Sequence, residues 1–165
     1  MRIRYCAVAV ILLLATVMAS AFTDPFVGRW VLNTRLSKYP SGTCPTRMVI
    51  EIESTGGGVH YRSDASYTNG LTAHSEYTAE YNGKQSLVMG NRGMLLPVSL
   101  RRSNSRLVLA SYTKGLQVVA TSRRLVSKDG RRMTITTISK DRTGADVVTV
   151  GVYEKERETK TKHSF

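Results

Sequence analysis

From Arg47 to Glu154 the chain is a succession of short segments in which apolar and polar residues alternate, each stopped by a tight-turn signal. Alternation at period two sends one set of side chains to each face of an extended strand. Met48, Ile50 and Ile52 share one face of the first segment, with Glu51 and Glu53 on the other. Gly56 to Gly58 turn the chain into a second, where Val59, Tyr61, Ser63 and Ala65 oppose His60, Arg62 and Asp64. Asn69-Gly70 signals a two-residue hairpin, because both residues accept the positive φ that a type I′ turn needs. Leu71, Ala73, Tyr77, Ala79 and Tyr81 then face away from His74, Glu76 and Glu80, and Asn82-Gly83 predicts another hairpin into a strand over Gln85 to Met89.

After an irregular turn at Gly90 to Gly93, strands are predicted over Val98–Arg102, Arg106–Thr113, Leu116–Val126, Arg132–Ser139 and Asp146–Glu154. Arg29–Leu32 precedes them all. Turns this short make neighbours in sequence antiparallel neighbours in space. A flat sheet of so many strands would carry two long bare edges, and closure removes them. The fold class is therefore all-β, an antiparallel up-and-down barrel of about 8–10 strands. A two-sheet sandwich is the alternative, and it usually needs longer crossovers.

The N-terminus reads as an address. Arg2 and Arg4 precede an uncharged apolar run from Cys6 to Met18, and the small residues Ala19-Ser20-Ala21 follow. That pattern predicts a cleaved signal peptide over residues 1–21, with the barrel over 22–155 and a charged tail over 156–165. The protein is expected to be exported, periplasmic or secreted. Loss of Arg2 and Arg4 lowers the formal charge from +12 to +10, and loss of Cys6 leaves Cys44 with no intramolecular partner.

Phe26-Val27-Gly28-Arg29-Trp30 stands just before the first strand. It resembles the opening of the calycins, the group of lipocalins, fatty-acid-binding proteins and avidins. The resemblance implies that Phe26, Gly28 and Trp30 close one end of the barrel, with Lys155 or Arg157 as the cation packed on the indole. An indole suits that place, since it offers a large apolar face and a cation–π surface. Val152-Tyr153-Glu154-Lys155 is similar to the end of fatty-acid-binding proteins, whose Arg-x-Tyr grips a ligand carboxylate. Tyr153 matches, but Gly151 stands at the arginine position, so that clamp is incomplete. Over most of its length the chain resembles small exported bacterial lipocalin-like proteins, through Gly28-Arg29-Trp30-Val31-Leu32-Asn33, Ser37-Lys38 with Pro40, the run Glu76 to Lys84, and Val126 to Gly130.

Nothing in the sequence assembles a catalytic or metal-binding group. His60 and His74 sit on polar faces, His163 lies in the tail, and Cys44 has no nucleophile signature around it. Gly56 to Gly58 join two strands rather than opening a helix, so they form no phosphate loop. No enzyme activity, cofactor or metal is expected. Nucleic-acid binding is not expected either, because the basic residues are not interleaved with aromatics on one face.

The charge excess favours anionic partners. Arg101-Arg102, Arg123-Arg124 and Arg131-Arg132 each fall in or at the start of a strand, so each pair is expected to send one arginine inward. Arg102 and Arg124 on the lumen side would meet an anionic head group through bidentate hydrogen bonds, whereas at strand ends, the favoured reading, such arginines extend into water. Tyr61, Tyr77, Tyr81 and Tyr153, with Leu100 and Leu109, are the other candidate lumen residues. Met48, Tyr67 and Tyr112 are further interior candidates. The expected function is an exported binding protein for a small hydrophobic or amphipathic ligand. The alternative is an envelope interaction protein whose basic outer surface meets an anionic envelope component while the barrel interior is packed.

Overall fold

The computed structural model describes residues 24–157, and the predicted leader and the tail from residue 158 onward lie outside them. Eleven strands run in chain order: β1 (Gly28–Leu32), β2 (Arg47–Ser54), β3 (Gly58–Ser66), β4 (Thr72–Glu80), β5 (Asn82–Ser86), β6 (Met89–Gly90), β7 (Val98–Asn104), β8 (Leu107–Lys114), β9 (Gln117–Val126), β10 (Arg132–Lys140) and β11 (Asp146–Lys155). They form one antiparallel sheet in the order β5-β7-β8-β9-β10-β11-β1-β2-β3-β4-β6. The sheet curls until β4 lies against β7, so side chains rather than a hydrogen-bonded ladder bridge the last gap.

β1 lies between β2 and β11. Trp30 pairs with Lys155 on one side and with Ile50 on the other, so the first and last long strands are neighbours. The pairing runs one residue past β11, because the Glu156 amide donates to the Arg29 carbonyl at 2.8 Å and its carboxylate meets Arg29 at 2.7 Å. β11 itself ends at Lys155, the last residue of the predicted barrel.

One end of the barrel is a packed floor. Trp30, Phe26, Ile50, Leu100, Val108, Val126 and Met133 are buried there. Fully burying an aromatic or aliphatic side chain of this kind contributes about 1.5–3 kcal/mol. The Trp30 indole N–H donates to the Phe26 carbonyl at 2.8 Å, which satisfies its polar atom. Lys155 Nζ stands 5.0 Å from the indole centroid, and Arg157 is exposed, so the cation on the floor is Lys155. Gly28 sits at φ 131°, and a Cβ there would lie 2.6 Å from Lys155 Cε.

Two hairpins differ from expectation. The turn between β3 and β4 is closed by the Tyr67 amide on the Leu71 carbonyl at 3.0 Å, with positive φ at Gly70 (78°) and not at Asn69. It is thus a three-residue loop rather than a type I′ pair, the form in which only the glycine must be left-handed. Asn82-Gly83 makes no hairpin. Gly83 reverses the chain at φ 80°, but β5 pairs with β7, through Gln85 with Ser99 and Ser86 with Val98. The chain then crosses the gap and β6 pairs back onto β4, through Gly90 with Ser75 and Met89 with Glu76. Residues 87–97 therefore form a strap over the upper part of the β4/β7 gap.

Candidate functional site

Above the floor the barrel holds a cavity of about 330 Å³. β3 and β4 supply Tyr61, Ser63, Ala65, Ala73, Ser75 and Tyr77 to its wall, the inward set of two paired strands. β8 and β9 add Tyr112, Ser122 and Arg124. Ile135, Thr137, Thr149 and Tyr153 come from β10 and β11. The strap contributes Val88, Arg92 and Met94, and the loop between β1 and β2 contributes Tyr39 and Pro45. A groove of about 520 Å³ lies outside the floor, lined by Asp129, Arg131, Arg132, Glu154 and neighbouring charged residues. Every residue that lines it is polar or charged.

Arg124 forms the boundary between cavity and floor, since it borders both the cavity and the small void beneath it beside Phe26, Ile52 and Leu100. The residue is 4% exposed. Nη1 donates to the Tyr77 phenol oxygen at 2.6 Å and Nη2 to that of Tyr112 at 3.0 Å. Nε has no partner. The guanidinium also lies 4.9 Å from the Tyr61 ring centroid and 5.8 Å from that of Tyr77. Those two rings are a cross-strand pair, stacked at 4.8 Å and 14°.

Among the described residues no carboxylate lies within 4.0 Å of Arg124. Its phenol neighbours supply no counter-charge. Burial pushes Tyr61 up to about 12 and raises Tyr77 still further. Arginine cannot shed its proton, so a full positive charge sits inside the barrel beside neutral rings. A buried ion without a counter-ion costs several kcal/mol. Because the Tyr77 and Tyr112 oxygens accept from Arg124, each keeps its own O–H to donate. In chemical terms, a cation flanked by two phenol donors at the base of a cavity can hold a negatively charged group.

The sequence-predicted site residues divide. Tyr61, Tyr77, Arg124 and Tyr153 line the cavity, as do Met48, Tyr67 and Tyr112. Leu100 is fully buried in the floor core, and Tyr81 borders the void below Arg124. Leu109 is 44% exposed on the outer wall, which corrects its expected inward placement; Val108 and Ala110 take the inward positions of β8. Arg102 does not face the cavity. It forms an ion pair with Asp24 and stacks 4.0 Å from the Tyr81 ring centroid, at the floor end of the β4/β7 gap. Arg123 and Arg101 are exposed beside their inward partners, but Arg131 and Arg132 are both exposed, because Arg131 still belongs to the turn.

Tyr39, Arg92 and Met94 come to the cavity from loops, where no periodicity points inward. Ser63 and Ser75 (Oγ to Oγ 2.8 Å), and Ser122 with Thr137 (3.2 Å), make the wall rich in hydroxyls. Ser122 and Thr137 share the parity of Arg124 and Ile135, and that parity is the signal that could have found them.

No family model and no curated protein matches the chain. Among solved structures it is similar to the zebrafish ileal bile acid-binding protein complexed with cholic acid, with a TM-score of 0.51 and 14% identity over 80% of this chain and 99% of that one. The fold is calycin-like. In this calycin-like barrel the β1–β2 loop supplies Tyr39 and the strap supplies Arg92 to the mouth, and no helix occurs among the described residues.

Proposed function

We propose that this chain is an exported binding protein for a small amphipathic molecule, held with its anionic group on Arg124 and its apolar body against the tyrosines above. The observation that carries the reading is Arg124 itself: a buried cation bordering a cavity, with no carboxylate among the described residues beside it. A ligand carboxylate, sulfate or phosphate would take up the charge and accept the phenol protons of Tyr77 and Tyr112. A volume of about 330 Å³ suits a compact ligand. The hydroxyls of Ser63, Ser75, Ser122 and Thr137 favour one that carries polar substituents along its length. The solved relative is itself a complex with cholic acid, an amphipathic ligand. Export rests on the leader pattern of residues 1–21.

Native mass spectrometry of the protein recovered from its own host's envelope tests this directly. A stoichiometric anionic small molecule that departs on denaturation, and is absent from Arg124→Met prepared in the same way, is the expected result. An empty protein that also fails to bind a fluorescent anionic amphiphile would overturn it.

A further inference from the structure

The two ends of the barrel differ in what they expose. Among the described residues ten large hydrophobic side chains are exposed, and all but Leu109 lie at the mouth or on the strap beside it. Leu116, at the tip of the β8–β9 turn, is 105% exposed, and Leu87 on the strap is 78% exposed. Ile138 and Val148 face outward as a directly opposed pair beside the β10–β11 turn. Leu36 and Leu71 project from the other two mouth loops. The floor turns, by contrast, carry Thr55 to Gly57, Ser103 to Ser105 and Ser127 to Gly130, with no exposed large hydrophobic residue. Single exposed leucines are ordinary, but their concentration around one opening is not.

Basic residues surround these apolar tips. Arg35, Lys38 and Arg47 flank the first mouth loop, and Arg92 stands on the strap. Lys114, Lys140 and Arg142 belong to the two hairpin turns. The carboxylates on these loops are Asp141 and Asp146. Asp141 accepts hydrogen bonds from Thr143 and Ala145 within its own turn, and Asp146 pairs with Lys140. The mouth is therefore cationic as well as apolar.

We propose that the mouth docks on an anionic lipid bilayer, with Leu87, Leu116 and the neighbouring apolar tips entering the headgroup region and the surrounding cations facing lipid phosphates. Apolar tips combined with lysine and arginine at one face are the pattern of interfacial membrane binding. A bilayer is favoured over a protein partner because the apolar side chains sit on separate projections around an opening. Protein interfaces bury a continuous apolar centre, whereas a fluid surface admits each tip independently. Docking in this pose would present the cavity mouth to the lipid, but the contact itself does not depend on what the cavity holds.

The test uses the chain from Phe22 onward, which carries all eleven strands, with vesicles of phosphatidylglycerol and phosphatidylethanolamine, and with phosphatidylcholine vesicles for comparison. Two single reporters, Leu116→Trp at the mouth and Lys128→Trp at the floor, distinguish oriented docking from diffuse attraction of a basic protein. Flotation with the anionic vesicles is expected, with a blue-shifted emission for Leu116→Trp and none for Lys128→Trp. Leu87→Ser combined with Leu116→Ser, both at exposed positions that leave the core intact, should weaken binding at least about tenfold. The proposal fails if the wild-type chain does not float, if both reporters respond alike, or if the double variant binds as well as wild type. It fails equally if those substitutions abolish a concentration-dependent dimer seen by sedimentation while no vesicle binding occurs.

Discussion

Arg124 on β9 donates through Nη1 to the phenol oxygen of Tyr77 on β4 at 2.6 Å, a bond across the interior between strands that share no ladder. It is among the side-chain contacts that cross the interior near the β4/β7 gap. It also fixes a positive charge whose immediate partners among the described residues are phenols. An apolar side chain there would avoid the desolvation cost of the buried charge, and the proposed anionic ligand would offset it.

Replacing Arg124 with Met should separate those two roles. Removing an uncompensated buried charge is expected to leave stability unchanged or raise it by about 1–4 kcal/mol. Binding of an anionic amphiphile should fall by roughly 10- to 100-fold, the loss of a charge-assisted contact worth about 1.5–3 kcal/mol. Urea denaturation and fluorescent-probe titration of the same variant read both effects. A strongly destabilised Arg124→Met with unchanged probe affinity would assign the residue to structure instead.

The buried phenols set the alkaline limit of the fold. In an unfolded chain tyrosine ionises near about pH 10. Burial pushes Tyr61 up to about 12 and raises Tyr77 and Tyr153 further. Above about pH 10 the folded chain thus holds protons that the unfolded chain has released, so stability falls as pH rises. Each such group contributes a loss of about 1.4 kcal/mol per pH unit within its window. Below that window these groups impose no pH dependence. Urea midpoints measured through the alkaline range should decline steeply, and phenolate absorbance should show these tyrosines ionising only together with unfolding.

The barrel itself was readable because its information is local. Met48, Ile50 and Ile52 alternate with Glu51 and Glu53, and each short turn dictates its neighbour strand. The same period-two rule placed Tyr61, Tyr77, Arg124 and Tyr153 inward. It failed where pairing is not sequential: Asn82-Gly83 carries the local signal of a hairpin, yet β5 leaves β4 for β7 and β6 returns. No short-range pattern encodes that exchange of partners. Leu109 and Arg102 failed for a different reason. Leu109 lies one residue out of phase with Val108, and a one-residue difference inverts a face. Arg102 has the expected parity but finds Asp24 far away in sequence, a pairing visible only once the barrel is closed.

The return of β6 depends on Gly90. A Cβ there would lie 2.0 Å from the His74 carbonyl oxygen, a backbone atom that cannot move aside without breaking β4. Gly144, in the β10–β11 turn, has open space around the same position and a φ of 86°. Gly144→Ala should therefore cost only about 1 kcal/mol, the strain of a left-handed alanine. Gly90→Ala should detach the strap from β4. Hydrogen exchange is the appropriate measurement: the Asn91 amide, which donates to the His74 carbonyl at 3.1 Å, should lose protection in Gly90→Ala and keep it in Gly144→Ala.

Asp24 closes the lower end of the same gap. Its carboxylate accepts from the Tyr81 hydroxyl at 3.3 Å and forms an ion pair with Arg102, which lies over the Tyr81 ring and 5.6 Å from that of Phe26. Side-chain exposures of 16% for Asp24 and 27% for Arg102 put the pair in a partly shielded site, where losing one partner matters more than it does at an open surface. Asp24→Asn keeps the shape but removes the charge, leaving Arg102 half-buried without a counter-ion and with an unpartnered Nε. The expected cost is about 1–3 kcal/mol. A second substitution, Arg102→Met, should recover much of it by removing the stranded charge. The denaturation midpoints of the two single variants and the double variant form a cycle, and a coupling near zero would mean that the clasp does not hold the gap closed.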